Sequence, residues 1–181
     1  MLKDAMLLWK FNRGSADVLL QIYEKYKDQL VTLATALLHD ANAGEDAVHD
    51  VFVSLIRSAP KLKLSRSLKA YLTVSVVNNV RSRIKAKRRE QTVGLDNTDT
   101  IISDTDRPDG FAIFGEQMKR LTFSLAQLPY EQREVIMLRH YSGMKFKAIA
   151  ESQGVSTNTV QGRYRYGLEK LRSLLNGQVK K

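Results

Sequence analysis

Three side chains near the C-terminus, Asn158, Gln161 and Arg165, are spaced three and four residues apart, which puts them on one face of a helix. Amides and guanidinium groups are the side chains that pair with adenine and guanine edges in the major groove. A second set occurs earlier. Tyr71, Val74, Asn78, Arg81, Lys85 and Arg88 fall at i, i+3, i+7, i+10, i+14 and i+17. The stripe combines an aromatic, an amide and three cations. Unpaired bases stack on aromatics while cations follow the phosphates, so the pattern suits single-stranded DNA. Tyr71 fits a core position equally well.

Catalytic alternatives fail on spacing. Gly162 and Gly167 are placed as in a phosphate-binding loop, but Leu168 and Glu169 follow where lysine and a hydroxyl residue are required. His39, His49 and His140 have no second ligand at metal-binding spacing. The Glu45–Asp46 pair comes with no signal of a cleft. The chain is therefore expected to be no enzyme and to need no cofactor or metal.

The elements that must position these residues read as helices, with no convincing period-two strand. Apolar residues recur every three or four positions from Ser15 to His39, and again from about Asn42 to Ala59, where Pro60 follows the end. A third helix is predicted over about Ser67 to Arg89. It holds six cations, Arg81, Arg83, Lys85, Lys87, Arg88 and Arg89, within nine residues. Gln91 to Gly115 then changes character, with five aspartates (96, 99, 104, 106 and 109) against Arg107 and many turn formers, the composition of a tether. Helical periodicity resumes at Met118, and Pro129 opens a further helix in its first turn.

The last two helices are predicted over Phe146 to Ser152 and from Thr157 to Leu175, with Gly154 making the turn. On the second, Val160, Tyr164, Leu168, Leu171 and Leu175 fall within about 80° of one another. Asn158, Gln161, Gly162, Arg165, Tyr166 and Glu169 take the other side. Ser156 or Thr157 serves as N-cap. The fold expected is all-α, with two small helical domains at residues 1–90 and 116–181 and a flexible acidic linker at 91–115.

Composition sets the class of partner. The 181 residues are 43% hydrophobic and 27% charged, as in soluble globular proteins. A net charge of +10 and a pI near 9.8 favour a polyanion. Without cysteine, disulfides, thiol catalysis and zinc fingers are excluded. The opening MLKDAMLLWKF has too short an apolar run for a signal peptide, and no run reaches the ~20 residues that cross a bilayer. A cytoplasmic location without membrane insertion is expected.

Three stretches in this order resemble a family. LPYEQREVIMLRHYSGMKFKAIAESQGVSTNTVQGRYRYGLEKLR resembles region four of sigma factors of the extracytoplasmic-function type, which reads the minus-thirty-five promoter element. AGEDAVHDVFVSL resembles the helix that docks on the polymerase clamp. SLKAYLTVSVVNNVRSRIKAKRR resembles the segment that recognises and opens the minus-ten element, with Asn78 on the usual asparagine. There are departures: Gly44 stands where alanine is usual, His49 where glutamine is and Ser82 where aspartate is. Ala148 replaces a glutamate, and Gly162 and Gly167 replace serine and alanine.

The resemblance implies an initiation factor with named contacts. Ser156, Thr157, Asn158, Thr159, Gln161, Arg163 and Arg165 would meet the upstream element. Lys61, Lys63 and Ser65, in the loop PKLKLSRS, would join the stripe Tyr71, Asn78, Arg81, Lys85 and Arg88 at the minus-ten element. Asp46, His49, Asp50 and Phe52 would face the clamp, with Phe52 open to a core role. Implied partners are core RNA polymerase, through its clamp and flap, promoter DNA and an anti-sigma factor. Twenty-five linker residues reach at most about 80 Å, against roughly 70 Å between two such elements. A free-standing regulator of duplex operators is the alternative, but no heptad or apolar stripe offers it a dimer interface.

Overall fold

The computed structural model describes residues 16–58, 67–93 and 116–179, together with Leu7 and Phe11. It divides into two compact units, Met1–Arg107 and Pro108–Lys181. No strand occurs among the described residues.

The first unit packs α1 (Ala16–Leu38), α2 (Ala41–Ser58) and α3 (Leu68–Val93) around one apolar core. Val18, Ile22, Tyr26, Leu30, Leu33 and Leu37 of α1 are buried against Ala47, Val48, Val51, Phe52 and Leu55 of α2. From α3 come Leu68, Leu72, Val76, Val77 and Val80. Each full burial of such a side chain contributes about 1.5–3 kcal/mol.

The turn from α1 to α2 takes two residues. His39 adopts a left-handed φ of 59°, and its N–H donates to the Thr35 carbonyl at 2.7 Å. Asp40 then caps α2, its Oδ1 accepting from the Ala43 N–H at 2.9 Å. Tight closure brings the two helices very close at Gly44. A Cβ there would lie 2.9 Å from the Thr35 backbone nitrogen, so the alanine usual in the family has no room. Ser67 caps α3 through the Ala70 N–H at 3.2 Å.

The second unit contains α4 (Glu116–Ala126), α5 (Tyr130–Ile136), a π-helical turn (Met137–Tyr141), α6 (Phe146–Gln153) and α7 (Thr157–Val179). Pro129 stands at the N-cap of α5. Leu125, Leu128, Val135, Ile136, Leu138, Ile149, Val160 and Leu171 form its core.

Two ends differ from the sequence reading. α3 continues to Val93, past the expected stop near Arg89, and α7 reaches Val179 rather than Leu175. Extending a formed helix costs little, so turn-prone residues at its end do not stop it at once. From residue 94 to 115 the acidic segment lies outside the described residues, as do Lys61, Lys63 and Ser65.

Candidate nucleic-acid interface

α6 and α7 form a helix-turn-helix whose turn is built locally. Gly154 takes φ 65° and ψ 33°, a left-handed conformation that a side chain would strain, and its N–H reaches the Ala150 carbonyl. The Val155 N–H donates to the same carbonyl at 3.1 Å. Two residues after Gly154, Ser156 caps α7, its Oγ accepting from the Thr159 N–H at 3.1 Å and meeting Thr159 Oγ1 at 2.9 Å. Ser156 rather than Thr157 is thus the cap.

Amphipathicity then orients α7. Val160 and Leu171 are buried, while Tyr164, Leu168 and Leu175 are half-buried. The opposite face exposes Asn158, Thr159, Gln161, Arg165 and Tyr166. The Arg165 guanidinium rests on the Tyr166 ring, 5.0 Å from its centre, and Nη2 donates to Tyr166 Oη at 3.2 Å. An exposed contact of that kind is worth about 0.5–1 kcal/mol, weak enough to exchange for a base. Gly162 opens onto empty space, with no atom within 4 Å of an added Cβ. Gly167 instead lies where α5 and α7 touch; a Cβ would come within 3.0 Å of Ile136 Cδ1.

Arg163 behaves differently from its neighbours. It is half-buried, and its Nη1 donates to Gln153 Oε1 at 2.9 Å. The Gln153 amide in turn donates from Nε2 to Glu134 Oε1 at 2.6 Å. Glu134 is 1% exposed, a carboxylate inside the domain. Beside it Arg133 is 7% exposed, its Nη1 donating to the Ala126 carbonyl at 3.2 Å and its guanidinium near the Tyr130 ring. Burial lowers the Arg133 pKa below the usual arginine range to about 10, partly offset by Tyr130 and Glu131, so it remains charged at neutral pH.

The π-helical turn supports α7 from another side. His140 Nε2 meets Tyr164 Oη at 2.6 Å, with the two rings stacked at 5.5 Å. Phe146 packs edge-on to Tyr164, and the Arg139 guanidinium lies 4.9 Å from the Phe146 ring centre. Among the described residues, no cluster suited to a metal ion is found.

On α3 the second stripe is graded. Tyr71, Val74 and Arg81 are half-buried, whereas Asn78, Lys85 and Arg88 are exposed. Arg81 Nη1 donates to Asn78 Oδ1 at 3.1 Å. On α2, Asp46, His49 and Asp50 are exposed. Asp50 pairs with Arg83 of α3 at 2.5 Å, and Arg83 also donates to Asn79 Oδ1 at 2.7 Å. Phe52 is a correction. At 4% exposure it belongs to the core, edge-on to Tyr23 with ring centres 4.9 Å apart, because its phase on α2 matches Val48 and Leu55.

Sequence reading passed over Glu134, Gln153 and the His140–Tyr164 pair. For Glu134 a signal existed: it lies four residues before Leu138, on a face otherwise filled by apolar side chains.

The sigma-70 region 2 family model matches residues 22–90, and the sigma-70, region 4 model matches residues 118–171. The ECF RNA polymerase sigma factor SigK of Mycobacterium ulcerans (strain Agy99) is 25% identical over 178 residues, covering 94% of this chain and 92% of the relative. Among solved structures, CnrH in complex with the cytosolic domain of CnrY superposes with a TM-score of 0.69 at 21% identity, covering 96% and 97% of the two chains. RpoE in complex with the anti-sigma factor NepR from Bartonella quintana gives 0.67 at 21% identity, covering 86% and 95%. These two likenesses speak for the fold.

Proposed function

The chain belongs to the sigma-70 family of RNA polymerase sigma factors, in its extracytoplasmic-function type, and from that membership we propose a division of labour between its two units. It is a transcription initiation factor that binds core RNA polymerase and directs it to promoters. The second unit reads the upstream element through α7, with Asn158, Gln161 and Arg165 on base edges. The observation that carries this reading is the capped α7, which exposes those three side chains together while its other face is buried. Ser156, Thr157 and Thr159, at the start of that helix, suit phosphate contacts.

The first unit holds the minus-ten element along Tyr71, Asn78, Arg81, Lys85 and Arg88, with Lys61, Lys63 and Ser65 in the preceding loop. The exposed Asp46, His49 and Asp50 face the polymerase clamp. Residues 94–115, beyond the end of α3, act as an acidic tether between the units. The bond-making chemistry belongs to the polymerase, which also implies a cytoplasmic location. Among the described residues no helix is long and apolar enough to cross a membrane. RpoE of Bartonella quintana was solved with an anti-sigma factor, and by analogy such a partner is proposed here.

The test is a promoter-binding assay with and without core polymerase. The purified protein alone is expected to bind duplex DNA weakly, with specificity appearing only in the holoenzyme. Tight, sequence-specific binding by the isolated chain in ~0.15 M salt would favour a free-standing regulator instead.

A further inference from the structure

Glu134, Gln153 and Arg163 come from three helices, α5, α6 and α7, and meet through one amide. Gln153 is the last residue of α6, immediately before the left-handed Gly154. Both ends of its amide are engaged in a fixed sense, with the N–H turned to the buried carboxylate and the carbonyl to the guanidinium. Flipping the amide would set oxygen against carboxylate and NH2 against guanidinium, so only one orientation is stable. Charge at both ends polarises the chain of bonds and strengthens each link.

We infer that this relay sets the rotational position of α7, making Arg163 and Gln153 positioning residues for base recognition rather than DNA contacts. The inference rests on the reading that α7 reads duplex DNA. Arg163 sits between Gln161 and Arg165 in sequence but on the inward side, so its anchoring fixes where those two point. Side-chain tips lie about 5–6 Å from a helix axis, and a roll of about 20° shifts them by roughly 2 Å. That exceeds the tolerance of a hydrogen bond to a base edge. Apolar contacts at Val160 and Leu171 resist separation of the helices but are non-directional, and so define rotation less sharply.

The test uses the full chain assembled with core polymerase. Binding is compared on a promoter from which this holoenzyme initiates and on the same promoter with its upstream element scrambled. Gln153→Glu keeps an acceptor for Arg163 but sets two carboxylates together; discrimination is expected to fall roughly tenfold, the scale of one lost base contact. Adding Glu134→Gln rebuilds the relay with amide and carboxylate exchanged, and is expected to restore most of the loss. Gln153→Met removes both bonds without adding charge and is expected to lose discrimination similarly; it decides the matter if the charged variant does not fold.

A variant with a lowered melting midpoint but full discrimination while folded would overturn the proposal, as would an exchange variant that folds normally yet discriminates poorly. An Asn158→Ala, Gln161→Ala, Arg165→Ala triple variant separates the two levels. If it discriminates normally, the reading of α7 fails and the relay proposal falls with it. If it loses discrimination while Gln153→Met does not, only the relay is wrong.

Discussion

α3 and α7 are both long helices with a polar face proposed for DNA, and they differ in how that face is held. α7 is fixed at its start by Ser156, at its turn by Gly154 and from inside by Arg163, Gln153 and Glu134. α3 has an apolar inner side, and the links between its polar side chains run mostly along its own surface, Arg81 to Asn78 and Arg83 to Asn79. Reading base edges in a stiff duplex demands positional accuracy, because a wrong base is rejected only if donors and acceptors are in place. Holding a flexible single strand demands charge and stacking area, which tolerate latitude.

The largest effect is expected on α3. Tyr71→Ala with Arg81→Ala should impair open-complex formation tenfold or more, since stacking is worth roughly 1–3 kcal/mol per base. The defect should shrink on a template already mismatched across the minus-ten region. An equal defect on both templates, in a variant with an unchanged melting midpoint, would break the comparison by making α3 a general DNA binder. A large drop in the midpoint would instead mark the half-buried Tyr71 as a core residue.

On α7, Arg165→Ala should cost about 1–3 kcal/mol of preference for the correct upstream base. Uniform weakening across sequences, with a shallower salt dependence, would show a phosphate contact and bring α7 closer to α3 in character. Gly162→Ala should sharpen the contrast further. An added Cβ meets nothing, so helix propensity should raise stability by about 1 kcal/mol. Upstream binding should nevertheless fall if the backbone there lies against DNA; unchanged binding would place that turn away from the duplex.

The smallest stability effect is expected at the surface pair between α2 and α3. Arg83 and Asp50 side chains are 33% and 54% exposed, so Asp50→Asn should change stability by less than about 1 kcal/mol. Holoenzyme assembly, measured by competition for core polymerase, should suffer more than stability does. Matching losses in both would reduce Asp50 to an orienting partner of Arg83.

The order of amino acids was enough to establish that this chain is helical, where most of its helices begin, and which face of α7 is polar. Those properties follow from periodicity and from caps that act within four residues, as Ser156, Ser67 and Gly154 do. Packing settled what depends on residues distant in sequence. The phase of Phe52 on α2 allowed a core role, and its edge-on contact with Tyr23 of α1 decided for it. Gly44 could be nothing larger because Thr35 approaches from across the turn. Arg163, alike in type and position to the exposed Arg165, turned inward because α5 and α6 bring a carboxylate and an amide to meet it. Local pattern fixes which side of a helix is polar, but which polar groups find a buried partner depends on how the helices cross.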